Sequence, residues 1–410
     1  MYLKSITLAS AMALLSSNAF AGCGISEGNI SILSNAFPAL NAVTARASEC
    51  AGDGIDVTIN ATKEHRDLQV AALSASPAEY SSALISTSSI VALLKEGLLR
   101  PLDDLVAKHG AALKQNQLIT RDGKIMAIAF AVNAQHLFYR SDILEKAGVG
   151  VPRTYEDVLV AAEAIRKAGL MEYPVALNTK TGWNLGEEFV NMYMGTGAAM
   201  FKPGSAEVAI NNDHGVATLK MLKALTSYSN PDFLTFDSEV TAALWEAGDL
   251  AMATLWGTRA GKILDDEGST EAITSTTVLA AAPTWGGGET PASTLWWNGF
   301  TIAKNASEAD AEATFIAMMN GISTDMVKAN NDLAVWLIEG FAPGVPAEGV
   351  TATMMGGARQ YPTLPFMGTL HTALGAELSD FLQGTESAEQ ALADVEAAYT
   401  ASAIEKGFLQ

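Results

Sequence analysis

Tryptophans set beside amide, hydroxyl and guanidinium groups are the chemistry-bearing feature of this chain. In Leu255-Trp-Gly-Thr-Arg259 an aromatic face, a hydroxyl and a cation emerge together where a strand is expected to end. Trp296-Trp-Asn-Gly299 follows a flexible Gly286-Gly-Gly288 bend, and Trp183-Asn-Leu-Gly-Glu-Glu188 sets Trp183 at a helix start with Glu187 one turn along the same face. Aromatic faces stack on the C–H surfaces of sugar rings, and short polar side chains exchange hydrogen bonds with ring hydroxyls. Trp183, Glu187, Trp256, Arg259, Trp296, Trp297 and Asn298 are therefore candidate ligand contacts. Neighbours in an extended segment face opposite ways, so one of Trp296 and Trp297 can line a pocket while the other packs inward. The competing readings are a core tryptophan with surface acids for Trp183 and Glu187, and a salt bridge for Arg259.

Constellations for catalysis are missing. Five histidines are scattered, with no pair at i, i+4 and no H-E-x-x-H. Two cysteines cannot build a zinc site of the usual spacing. Gly257-Thr-Arg-Ala-Gly-Lys-Ile263 is one residue short of a P-loop and ends in Ile263 where a Mg²⁺-binding hydroxyl is needed. Gly195-Thr-Gly197 lacks the third glycine of a dinucleotide fingerprint, and no G-x-S-x-G elbow occurs. The chain is read as a binder with no enzymatic activity and no cofactor or metal.

At 410 residues the chain is too long for one core and comfortable for two lobes. With 49% hydrophobic and 17% charged residues it is globular. Residues 1–21 read as a secretory signal: Lys4, an apolar core from Ile6 to Leu15, and Ala19-Phe-Ala21 as the cleavage site. That core is too short to span a bilayer, and no later run is long and uncharged enough to do so. A formal charge of -20 argues against nucleic acid and anionic lipid, which both need a basic surface. In an exported protein Cys23 and Cys50 are expected to pair as a disulfide, since Cys23 precedes a strand and Cys50 ends the helix returning beside it. The rival is a lipoprotein acylated on Cys23, for which Phe20-Ala-Gly-Cys23 is a poor signal.

The elements that must position these side chains alternate from Asn29 onward. Strands at Ile30–Leu33, Ile55–Ile59 and Ser82–Ile85 are separated by helices at Pro38–Glu49 and Arg66–Leu73, a pattern that builds a mostly parallel sheet. Ligands gather at the carboxyl ends of such strands, which places Asn35, Phe37 and Ser88 on the ligand edge. Asp122-Gly123 is a turn dipeptide before a β-leaning run to Val132, and Leu137-Phe-Tyr139 makes a second short strand. Ser141 is expected to cap a helix stopping at Gly148, and Thr154 to start the next. Asn133 and Gln135 stand between the two strands and can reach hydroxyls from a hinge.

The stretch from Asp122 to Asp157 resembles the segment of family 1 extracellular solute-binding proteins in which the chain crosses from one lobe to the other. These are periplasmic receptors of ABC importers and include the maltose-binding class. The resemblance spans nearly the whole mature chain and rests on pattern and order. It implies an α/β fold of two lobes, each a mostly parallel sheet flanked by helices. It also implies boundaries: residues 22–132 and 300–350 in lobe 1, residues 133–299 and 351–410 in lobe 2, with crossings near 131–136 and 294–302. Trp256 falls in a loop that commonly carries a ligand-contacting aromatic in this family, and Arg359 in one resembling its late cleft segment. The implied function is capture of a sugar or polyol by hinge closure and delivery to an importer permease, by a monomeric periplasmic protein. Two alternatives stand beside it. One is a receptor for an anionic sugar, with Arg259 and Arg359 as charge partners. The other is a secreted carbohydrate-active enzyme or lectin.

Overall fold

Two sheets organise the chain, and a single residue separates them. The computed structural model describes residues 23–410 apart from 53 and 266; the expected signal and its cleavage site lie outside the described residues. β1 (Ile30–Ser34) runs parallel to both β2 (Val57–Ala61) and β3 (Ser82–Ser86), with helices Pro38–Ser48 and His65–Ser74 as the intervening crossovers. β4 (Leu118–Arg121) and β5 (Lys124–Asn133) form a hairpin at Asp122-Gly123, where φ values of 50° and 75° suit the mirror-image turn that such hairpins use. Only Ala134 then intervenes before β6 (Gln135–Arg140) enters the second sheet.

There β6 pairs antiparallel with β8 (Met252–Trp256) and β9 (Thr277–Ala280), while β7 (Val175–Ala176) runs parallel to β8 at the edge. β10 (Thr294–Ile302) returns to the first sheet and inserts antiparallel between β3 and β5. β11 (Val335–Trp336) adds to β5, and β12 (Arg359–Gln360) pairs with the start of β10. Both sheets are thus mixed where mostly parallel ones are expected from the alternation. The reason lies in the crossings: a strand leaving a lobe and a strand coming back point in opposite directions, and neither is tied to its neighbour by a crossover helix.

Each sheet has its own apolar core. Ile30, Ile32, Phe130, Phe300 and Phe315 pack together in the first half. Leu137, Leu185, Phe189, Tyr193, Leu370, Val395 and Tyr399 pack in the second, with C-terminal helices Met367–Glu377 and Ala388–Glu405 lying in that core. Thr154 caps helix Tyr155–Lys167 reciprocally with Asp157, as its sequence predicts. Ser141 does not cap: it is the first helical residue, and its hydroxyl donates to the Thr276 carbonyl instead. Among the described residues no helix is long and apolar enough to cross a membrane.

Cys23 and Cys50 form a disulfide closing a separation of 27 residues. Restricting a loop of that length in the unfolded chain contributes about 3 to 4 kcal/mol. The double variant Cys23→Ser, Cys50→Ser should lower the urea midpoint, with an equal or larger m-value because the unfolded chain is no longer restricted; an unchanged midpoint would show that the bridge adds nothing.

Candidate ligand-binding site

A cavity of 310 Å³ opens where the carboxyl ends of β1, β2 and β8 meet β5 and β10. One wall is aromatic. Trp183 begins helix Trp183–Gly195 after Gly182, whose φ of 98° is open to glycine and strained for other residues. Its indole stacks on His371 at 4.9 Å, meets Trp256 at 6.3 Å and 26°, and takes the edge of Trp296 at 5.7 Å. Trp256 and Trp296 meet nearly at right angles, 5.9 Å apart. Trp296 stands opposite Asn133 in the β10–β5 register, and both line the cavity.

The wall is braced from behind by buried polar groups. The Trp296 indole N–H donates to Glu187 Oε1 at 3.0 Å and to Thr294 Oγ1 at 2.8 Å. His371 Nε2 lies 2.8 Å from the Trp183 carbonyl and Nδ1 2.7 Å from the Tyr361 hydroxyl. The carbonyl can only accept, so Nε2 carries the proton and Nδ1 accepts from the tyrosine. Burial pulls the His371 pKa down to about 4, so the ring is neutral near pH 7. Burial also pushes Glu187 up to about 8 and Glu188 up to about 7, so Glu187 is mostly un-ionised at neutral pH.

The remaining lining is polar and carries charge of both signs. Arg259 pairs with Glu239 at 2.8 Å, and Lys180 with Asp237 at 3.1 Å. Asp237 also caps helix Ser238–Glu246, accepting from the Glu239 and Val240 amides. Across the gap, Arg66 of helix His65–Ser74 lies 4.6 Å above the Trp183 ring, and Arg259 lies 5.7 Å from the Phe37 ring. Asn133 donates to Thr258 Oγ1 at 3.2 Å.

Of the side chains the sequence singles out, Asn35, Phe37, Asn133, Trp183, Trp256, Arg259, Trp296 and Asn298 surround this cavity. Five do not. Glu187 is fully buried behind Trp296, because its helix is buried on nearly every side and sharing a face with Trp183 does not lead to the cavity. Gln135 is buried behind the wall, on the Glu188 side. Trp297, one residue out of phase with Trp296, packs on the opposite face of the sheet near Met126. Ser88 neither lines the cavity nor caps a helix; Ser86, two residues earlier, reaches the lining. Arg359 is exposed on β12 and donates to the Gly197 carbonyl at 3.2 Å. The sequence reading misses Lys63, His65 and Arg66 after β2, and Asp237, Ser238 and Glu239 at a helix start. The first group was legible: β2 neighbours β1, so its carboxyl end opens on the same edge.

A family model described as bacterial extracellular solute-binding protein matches residues 38–321. The chain belongs to this family. A probable ABC transporter-binding protein from Deinococcus radiodurans is 28% identical over 209 residues, which are 49% of this chain and 47% of that protein, so the match spans about half its length. Among solved structures, maltose-bound MalE3 of T. maritima superposes with a TM-score of 0.78 at 18% identity, over 91% of this chain and 99% of that one. A solute-binding protein of an ABC transporter from Agrobacterium radiobacter, in complex with ribitol, gives 0.78 at 19% identity over 90% and 97%. One from Agrobacterium vitis with bound D-mannitol gives 0.75 at 20% identity over 93% and 99%. These likenesses show that the solute-binding fold, two α/β lobes about a cleft, is the fold of this chain.

Proposed function

We propose that this solute-binding protein captures a sugar or polyol in the cavity and hands it to the permease of an ABC importer. The observation that carries the reading is the wall of Trp183, Trp256 and Trp296 facing polar side chains across 310 Å³, a volume suited to a ring or a short polyol. Aromatic faces take up C–H surfaces, and Asn35, Asn133, Asn298 and Thr258 offer hydrogen bonds to hydroxyls. The ligands bound in the similar solved structures, maltose, ribitol and D-mannitol, support the same class.

In this reading residues 22–132 and 300–350 move as one lobe and residues 133–299 and 351–410 as the other, pivoting at the crossings near 131–136 and 294–302. Binding is then selection of the closed arrangement, which is the form a permease recognises. The signal at residues 1–21 directs export to the periplasm, where the protein works as a monomer without cofactor or turnover. A thermal-shift screen over sugars and polyols finds the ligand, because a bound molecule raises the melting temperature by mass action. Small-angle scattering then tests closure: the radius of gyration should fall on saturation. Confirmed binding with an unchanged radius would sink the hinge mechanism and favour a rigid lectin-like site.

A further inference from the structure

Charge in the cavity is opposite in sign to that of the molecule. The chain carries -20 overall, yet four cations, Lys63, Arg66, Lys180 and Arg259, line the cavity against two carboxylates, Asp237 and Glu239. Those carboxylates are already committed to Arg259 and Lys180. Arg66 is different. Among the described residues it makes no ion pair and no hydrogen bond from its guanidinium; its Nε is buried without a partner, as is that of Arg259, but Arg259 has Glu239 at its Nη2. Its one contact of note is the face of Trp183, at 4.6 Å from the other side of the cavity. Glu187, behind the wall, and Asp67, on its own helix, act on it only through space and neither touches it; burial pushes the Glu187 carboxyl up to about 8.

Three helix starts add to the same field. Helices Pro38–Ser48, His65–Ser74 and Trp183–Gly195 begin at the cavity, and none has a side-chain cap on its first amides; in the second, Glu64 at the cap position and Asp67 in the first turn offset the dipole. His65, buried and lining the cavity, likewise leaves Nδ1 without a partner. An unpaired, partly desolvated guanidinium is costly, and what relieves it is a fork of oxygens bearing negative charge.

We propose that the carbohydrate taken by this cleft carries an anionic substituent (a carboxylate, phosphate or sulfonate) and that Arg66 is the side chain that binds it. The proposal rests on the carbohydrate-carrier reading above and narrows its ligand class. Arg259 and Arg359, the partners expected from sequence for such a ligand, are excluded from the role: the first is neutralised by Glu239, and the second lies outside the cavity. In the bound state the guanidinium keeps its place over Trp183 and turns its N–H edge to the anion, leaving Trp256 to take the sugar ring.

Calorimetry on the mature full-length chain tests this with glucose, ribitol and mannitol as neutral probes and glucuronate, glucose 6-phosphate and 6-sulfonated glucose as charged ones. At least one charged probe should bind more tightly than every neutral one, and which of the three wins identifies the anion. Arg66→Met should weaken that probe roughly 10- to 100-fold, the range for a charge-assisted pair. Arg66→Lys should recover part of the loss, and Arg359→Met should change nothing. Arg66 makes no hydrogen bond that supports the fold, so the melting temperature of the ligand-free Arg66→Met variant should stay close to the parent. A neutral probe that binds best, with affinity unchanged or improved in Arg66→Met, would overturn the anion proposal and leave the carrier reading standing. Failure of all six probes to bind or to compact the protein would overturn both.

Discussion

Gly299→Val is expected to destabilise the protein by more than about 3 kcal/mol, the largest single-residue effect we anticipate. Gly299 lies in β10 where the register against β5 shifts, between the two long strands that cross the lobes. A Cβ there would sit 2.4 Å from the Ile128 carbonyl oxygen and 3.0 Å from the Ala129 Cα. Both are backbone atoms of the neighbouring strand, so no rotamer change relieves the overlap. β10 must move away from β5, and the packing of buried Phe300 against Phe315 moves with it. Gly368 is the control: it lies near the start of a helix with nothing within 4 Å of an added Cβ, so Gly368→Ala should be neutral or gain up to about 1 kcal/mol. Urea unfolding of the two variants reads both effects. A Gly299→Val midpoint equal to that of the parent would show that the crossing strands tolerate separation.

Glu187→Gln should remove a pH dependence from the stability curve. The carboxyl is pushed from 4.5 to about 8 by burial, so the folded chain holds its proton in a range where the unfolded chain has released it. The unfolded state therefore binds fewer protons between those two values, and stability contributed by this site falls as pH rises through them. Below about pH 4 both states are protonated and the effect vanishes; above pH 8 both are ionised and the loss is constant. At pH 8 the accumulated cost is up to about 4 kcal/mol. Glutamine keeps an oxygen for Thr294 and the Trp296 indole and does not titrate. The melting temperature of Glu187→Gln should thus match the parent at pH 4 and exceed it increasingly towards pH 8. Parallel curves across that range would mean that the carboxyl is ionised in the fold or reached by water. Glu188, up at about 7, gives the same sign over a narrower window and stays in both proteins.

Much of the fold was legible because its signals are local. The helix start at Thr154, the Asp122-Gly123 turn and the stop at Gly148 each act over a few residues, and each stands where its chemistry demands. Strand direction was not legible. The βαβ pattern governs β1 to β3, but β10, which begins at Thr294, joins β3 and β5 from far downstream of the end of β5 at Asn133, and nothing near it announces an antiparallel insertion. The pleat requires that Trp296 and Trp297 part ways, yet only the register against β5 decides which one faces Asn133's side. Ser141 shows the limit of a local rule: a distant carbonyl, that of Thr276, drew its hydroxyl away from capping. Arg66 was passed over because a cation at a helix start looks like any solvated charge. Its meaning comes from Trp183, more than a hundred residues away, and from acids that have chosen other partners.

The single-residue junction at Ala134 has a mechanical consequence. Its amide donates to Asn133 Oδ1 at 3.0 Å, and its carbonyl accepts from Gly257 at 3.0 Å, so the junction is clamped between a cavity side chain and the loop that carries Trp256. Asn133 is at once part of the lining and the last residue before the junction. Under the proposed closure, a molecule gripping that amide acts on the axis itself, so load and rotation meet at one point. Asn133→Ala should then loosen the coupling of occupancy to angle, read as a smaller fall in the radius of gyration on saturation with ligand.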